Sequence, residues 1–117
     1  MSTRYLLAAD IGGTNSRFAL FGLDSAPGGL ELYLVPGGKL RLPTARFGSF
    51  SELLGALRRT RTEGGFILLG DSFDIAAASM AVPGAVHGSG SAAVCHAPNI
   101  AWPLSAAEAE AIIPAPV

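Results

Sequence analysis

The chain has 117 residues, half of them hydrophobic, with eight Lys and Arg, nine Asp and Glu, and a formal net charge of −1. That length suits one domain burying about two thirds of its unfolded surface, and so apolar a composition excludes a disordered chain. The charge balance excludes the basic face of a nucleic-acid binder, and no apolar run approaches the roughly 20 residues of a membrane helix.

The start, "MSTRYLLAAD", lacks the long apolar core and cleavage site of a signal peptide, so a soluble, cytoplasmic protein is expected. Tyr5–Ala9 reads as a buried strand that stops at Asp10, and Arg17–Phe21 as a second. The polar residues between them suit a hairpin. "DSAPGG" at 24–29 is turn chemistry, and Leu30–Val35 alternates as a third strand that Pro36-Gly37-Gly38 breaks. A meander of three strands covers one side only and needs helices or another sheet on top.

Ser49 to Thr60 is the clearest helix. Ser49 and Glu52 fit a capping box, Leu53, Leu54 and Leu57 share one face, and Gly64-Gly65 ends it. Arg58, Arg59 and Arg61 complement the negative end of the helix dipole rather than recruit phosphate. Phe66–Leu69 has no clear assignment. Ile75–Val82 reads as a fully buried strand, parallel to its neighbours and stopped by Pro83-Gly84. A helix before such a strand implies a crossover onto the meander.

His87–Ser91 is a flexible loop and Ala93–His96 a short strand. The lone Cys95 has no disulfide partner, which fits a reducing compartment. Neighbouring strand residues face opposite ways, so Cys95 and His96 are not a dyad, and Cys95 is a buried small hydrophobe. His87 and His96 are a loop and a strand residue rather than acid–base groups. Ser105 opens a second helix with Glu108 completing another capping box, and Pro114 and Pro116 close it. No internal repeat is visible. The fold class is therefore α/β: an antiparallel three-strand meander plus parallel strands in a mixed sheet with flanking helices.

"ADIGGTN", residues 9–15, carries the chemistry. A dinucleotide fingerprint needs Gly-x-Gly-x-x-Gly leading into a helix, and here a strand follows. A Walker loop needs Gly-Lys-Ser/Thr, which is absent. Two readings remain open. One is a plain hairpin turn with an Asp cap. The other is an anion nest, in which glycines adopt positive dihedrals and let phosphate approach, Thr14 and Asn15 add donors, and Asp10 acts through Mg²⁺ or its water.

"LLAADIGGTNSRFALF" closely resembles the first phosphate motif of the sugar-kinase, heat-shock ATPase and actin superfamily, and in detail the N-terminus of bacterial glucokinases. "AASMAVPGAVHGSGSAAVCHAPNIAWPLSAAEAE" resembles that family's second block, matched at Ala81–Gly84 and Asn99–Trp102. The two blocks span nearly the whole chain in the family's order, whereas 23–69 is generic. The resemblance implies a ribonuclease H-like sheet, the small N-terminal domain of the actin-like ATPase fold, and ATP-dependent phosphorylation of glucose at its 6-hydroxyl. It assigns Ala9, Asp10, Ile11, Gly12, Gly13, Thr14 and Asn15 to ATP and Mg²⁺. Asp10 would organise the metal through water. Pro83, Gly84 and Asn99 would edge the sugar cleft. Trp102 reads as a core plug beneath that cleft, and Asn99 also suits an Asx-type turn fixing its own loop.

The resemblance also implies a general base in an Asn-Asp-Phe segment, and no Asn-Asp pair occurs in the 117 residues. The chain is therefore expected to be a glucokinase N-terminal domain, truncated before the catalytic-base strand, with no catalytic residue of its own. It is expected to be inactive alone and to self-associate as a homo-oligomer such as a dimer. Its partners are glucose or a related hexose, with no nucleic acid and no membrane. Alternatives are a kinase for another hexose or an N-acyl hexosamine, and a sugar-sensing regulator. Regulators usually carry a basic domain before the motif, where four residues precede Tyr5 here.

Overall fold

The computed structural model describes residues 4–113 and 115. Four strands form the main sheet: β1 (Arg4–Ile11), β2 (Asn15–Ala26), β3 (Gly29–Pro43) and β4 (Ile75–Ala81), in spatial order β3-β2-β1-β4. The first three make the expected antiparallel meander, and β4 lies parallel to β1.

Strand alternation sorts the side chains. Leu7, Ala9 and Ile11 of β1 sit opposite Leu20, Phe18 and Ser16 of β2, and all six are buried. The amphipathic helix α1 (Phe50–Gly55) belongs to the same core through Phe50, Leu53 and Leu54, followed by Leu57 in a 3-10 turn over Ala56–Arg58. Ser49 caps α1: its Oγ accepts from the Glu52 N–H at 3.0 Å, while Glu52 Oε2 accepts from the Gly48 N–H at 2.6 Å. Regular helix ends earlier than the expected Thr60, because the last turn tightens to 3-10, as helix ends often do.

The expected break at Pro36-Gly37-Gly38 does not occur. β3 runs on to Pro43, and the triplet lies where the register shifts, with Ala19 opposite Lys39 and Phe21 opposite Leu34. The surplus residues bulge out. Gly37 takes a φ of +74°, and its carbonyl accepts from the Gly64 N–H at 2.9 Å and the Thr62 hydroxyl at 2.6 Å. Such bulges absorb extra residues without ending a strand. Nearby, the Tyr33 ring lies over Gly22, where a Cβ would push it aside.

After β4 the chain folds into a small antiparallel sheet: β6 (Val94–Cys95) is the short strand expected at Ala93–His96, and its neighbours β5 (Val86–His87) and β7 (Leu104–Ser105) were not expected. The expected loop at 87–91 is thus partly strand and partly a 3-10 turn at Gly90–Ala92. Helix α2 (Ala106–Ile112) begins at Ser105, whose Oγ accepts from the Glu108 N–H at 3.4 Å. The closing prolines Pro114 and Pro116 lie outside the described residues. The Arg58 guanidinium donates to the Ile112 carbonyl at 2.8 Å, tying the end of the first helical segment to the end of the second.

One face of the sheet stays open among the described residues. β4 was expected to be fully buried, yet only Ile75 and Ala78 are, because β4 is an edge strand of a sheet with one open face. No helix is long and apolar enough to cross a membrane among the described residues.

Candidate functional site

Parallel pairing of β1 with β4 puts their C-terminal ends side by side, Asp10 opposite Ala81. The 12–15 turn and the 82–85 loop therefore leave the sheet at the same end, where open α/β sheets place their ligand sites. Asp10 is exposed there, with no ion-pair partner among the described residues. Ala9 and Ile11 point into the core, so their contribution to any ligand is through backbone.

The turn is held by a contact that sequence inspection missed. Thr44, buried at the end of β3, donates its hydroxyl to the Gly12 carbonyl at 2.7 Å, and its N–H to the Thr14 carbonyl at 3.0 Å. Ser16 Oγ lies 2.7 Å from Thr44 Oγ1. One hydroxyl has one proton, so Thr44 accepts here and Ser16 donates. The Asn15 carbonyl accepts from the Gly12 N–H at 3.0 Å. Three carbonyls of the turn are thus occupied by protein donors, whereas the Gly13 and Thr14 N–H groups donate to nothing among the described residues. A turn with its acceptors occupied and two successive donors free favours an anion.

Neither Gly12 nor Gly13 has a positive φ, so this is not the nest of positive dihedrals expected. The glycines are needed for space. A Cβ on Gly12 would stand 2.7 Å from the Asn15 carbonyl oxygen, and one on Gly13 would stand 3.0 Å from Asn99 Cβ. That second distance brings the two sequence blocks together, 86 positions apart, at a cavity of about 140 Å³ whose lining includes Gly13, Thr44, Asn99 and Trp102.

Trp102 is the plug expected of it. Its ring stacks on Phe50 with centroids 6.1 Å apart, and its indole N–H donates to the Phe47 carbonyl at 2.9 Å. Asn99 is exposed and makes no hydrogen bond among the described residues, so the expected Asx turn is not formed. Pro83 and Gly84 are also exposed, and a Cβ on Gly84 would meet Cys95 Sγ at 3.2 Å, so that loop rests on β6. Cys95 is buried while His87 and His96 are exposed, away from one another's chemistry.

No group of three or more His, Cys, Asp or Glu suited to a metal occurs among the described residues. Mg²⁺ does not require one: it commonly takes one or two carboxylates and completes its shell with phosphate oxygens and water. An exposed Asp10 without an ion-pair partner among the described residues, at the end of the strand that leads into the turn, fits that role.

The sequence profile of the Glucokinase family matches residues 7–113. Among solved structures, the chain is similar to a glucokinase from an Antarctic psychrotroph, with a TM-score of 0.55 and 25% sequence identity over 96% of this chain. It spans 31% of that protein's length. No curated protein matches it in sequence.

Proposed function

Because this chain belongs to the glucokinase family, we propose that it is the phosphate-holding domain of an enzyme transferring the terminal phosphoryl group of ATP to the 6-hydroxyl of glucose. The observation that carries this reading is the turn at residues 12–15, where occupied carbonyls leave the Gly13 and Thr14 amides free to face phosphate. Hydrogen bonds to a charged group contribute about 1.5–3 kcal/mol each, so these two and the Thr14 and Asn15 side chains are enough to orient a phosphate tail. Asp10 would hold Mg²⁺ through water, and the metal would supply neutralisation of charge on the phosphoryl group. The backbone of Ala9 and Ile11 keeps the strand end in register beneath it.

Asn99, against Gly13, and the Pro83-Gly84 loop form the edge of the sugar cleft. Phosphoryl transfer also needs a group that accepts the sugar's proton. Asp10 is taken up by the metal in this reading, so this chain is assigned no proton acceptor. The chain alone is then expected to release no ADP from ATP and glucose in a coupled assay. A reducing cytoplasm suits the free Cys95.

Trp102 is the single tryptophan and shares a cavity with Gly13, so its emission reports on the turn. MgATP is expected to change that emission, Gly13→Ala to weaken the response, and Asp10→Asn to remove its dependence on Mg²⁺. A chain that gives no response, or the same response in all three forms, would reject the reading.

A further inference from the structure

β3 is an edge of the main sheet, with β2 on one side and no neighbouring strand on the other among the described residues. Natural sheets commonly shield such edges with lysine, proline or a bulge. In β3 these devices begin only at Pro36, with the bulge at 36–38 and Lys39 after it. The stretch before them, Gly29–Val35, reads "GLELYLV" and carries a single charge, Glu31. Leu30, Leu32 and Leu34 share one face of the strand and are 69%, 56% and 41% exposed. That face belongs to the open face of the sheet: register sets Leu32 beside Leu23, and Leu34 beside Phe21, which in turn lies beside Leu6. Glu31 and Tyr33 occupy the other face of the strand. An apolar ladder therefore runs out to a bare edge.

A second copy of the chain is complementary to this edge. Antiparallel pairing of β3 with itself needs a two-fold axis perpendicular to the sheet, which keeps every side chain on its own face. The axis must then pass through one residue, and charge and proline select which. An axis at Glu31 sets two glutamates against each other, and like charges directly opposite repel. An axis at Tyr33 or Leu34 brings Pro36 into the pairing, opposite Leu30 or Leu32, and proline cannot donate to a ladder. An axis at Leu30 pairs nothing beyond Gly29–Glu31, because β3 begins at Gly29. An axis at Leu32 meets none of these obstacles. It sets Leu32 against Leu32, Leu30 against Leu34 and Glu31 against Tyr33, and it uses the whole of Gly29–Val35. The cations Arg17, Lys39 and Arg41 lie beyond the bulge, away from the contact.

We infer that Gly29–Val35 is a self-association surface, and that two copies of the chain join there by antiparallel β3 pairing about Leu32. The product is one continuous sheet of eight strands, four from each copy. The three exposed leucines of each copy lie side by side on its open face. A contact made of one strand edge and these leucines suits a reversible dimer rather than a permanent one. Each end of the joined sheet is a β4 edge, so the dimer leaves β4 free. This surface stands whether or not the turn at residues 12–15 holds ATP.

Sedimentation of the 117-residue chain over a range of concentrations tests it, with a mass expected to rise from 11.9 kDa toward twice that value. Leu32→Lys puts like charges on the axis and is expected to weaken the dimer about tenfold or more. Leu32 is exposed, so the change spares the core. Cysteine cross-linking reads the register itself. Residues directly opposite across antiparallel strands have Cα atoms about 4.5–5.5 Å apart, within reach of a disulfide. Mild oxidation is expected to join two copies of Leu32→Cys. Leu30→Cys alone is expected to stay unlinked, and Leu30→Cys mixed with Leu34→Cys to link. The native Cys95 is buried and does not compete. Ser79→Lys, on β4, limits growth beyond the dimer and leaves the Leu32→Cys cross-link intact. A monomer at every concentration, unchanged dimerisation in Leu32→Lys, cross-linking of Leu30→Cys alone as fast as that of Leu32→Cys, or loss of the Leu32→Cys cross-link in Ser79→Lys each overturns the proposal.

Discussion

Thr44 organises the candidate site without being expected to touch a ligand. Its hydroxyl joins β2 to the turn, and both it and Ser16 are buried. Thr44→Val keeps the shape but leaves the Gly12 carbonyl and the Ser16 hydroxyl without their partner. The expected loss of stability is about 1–3 kcal/mol in urea unfolding, with Thr44→Ser recovering most of it. A loss in Thr44→Ser with none in Thr44→Val would mean that the methyl group, not the hydroxyl, matters. Gly12 differs from Gly13 in what a side chain would strike. At Gly12 it meets backbone in the same turn, and at Gly13 it meets mainly the side chain of Asn99. Gly12→Ala is therefore expected to lower the thermal midpoint more than Gly13→Ala, because a side chain yields more readily than a hydrogen-bonded carbonyl.

The elements follow local chemistry where that chemistry is strong. Ser49 and Glu52 close the start of α1 as their spacing implies, and Ser49→Ala is expected to cost about 1 kcal/mol in the same unfolding measurement. The arginines after α1 were assigned to the helix dipole, and in the structure each donates to a particular carbonyl: Arg58 to Ile112, Arg59 to Gly55, Arg61 to Gly65. The breaker triplet in β3 shows local chemistry overruled. Pro36-Gly37-Gly38 would end an isolated strand, but pairing with β2 on both sides and two hydrogen bonds to the Gly37 carbonyl carry the strand through. Gly37 holds a left-handed φ with Gly64 Cα 2.8 Å from where a Cβ would stand. Gly37→Ala is expected to cost at least the about 1–2 kcal/mol of the left-handed conformation, read as a lower urea midpoint.

At the scale of the whole molecule, helices and core occupy one side of the sheet. The other side presents half-buried Leu6, Ala8, Ala19 and Phe21 beside a groove lined by charged residues of both signs, among them Arg17, Arg41 and Glu63. β4 has no outer neighbour among the described residues, and Leu30, Leu32 and Leu34 are exposed on the long β2–β3 arm. A bare strand edge and apolar patches favour association. Light scattering is expected to show a mass that rises with concentration, and Ser79→Lys, which adds a charge to the exposed edge strand, is expected to reduce it. A monomer at every concentration would contradict this.

Short-range signals in the sequence determined much of this protein: the hairpin around Gly12–Asn15, the serine caps of both helices, the leucine stripe of α1, the buried Cys95, and the two blocks that mark the family. Each depends on residues within a few positions of one another, where propensity and spacing act directly. Only the tertiary structure decided the rest. Thr44 reaches Gly12 across 32 positions, Asn99 reaches Gly13 across 86, and Arg17, Arg41 and Arg61 come together on one face. These neighbours are set by strand register and by the crossover that lays β4 beside β1. A slip of one residue in that register would turn Arg17 and Arg41 to the opposite face, and contacts at such separations depend on how whole elements pack rather than on neighbouring residues.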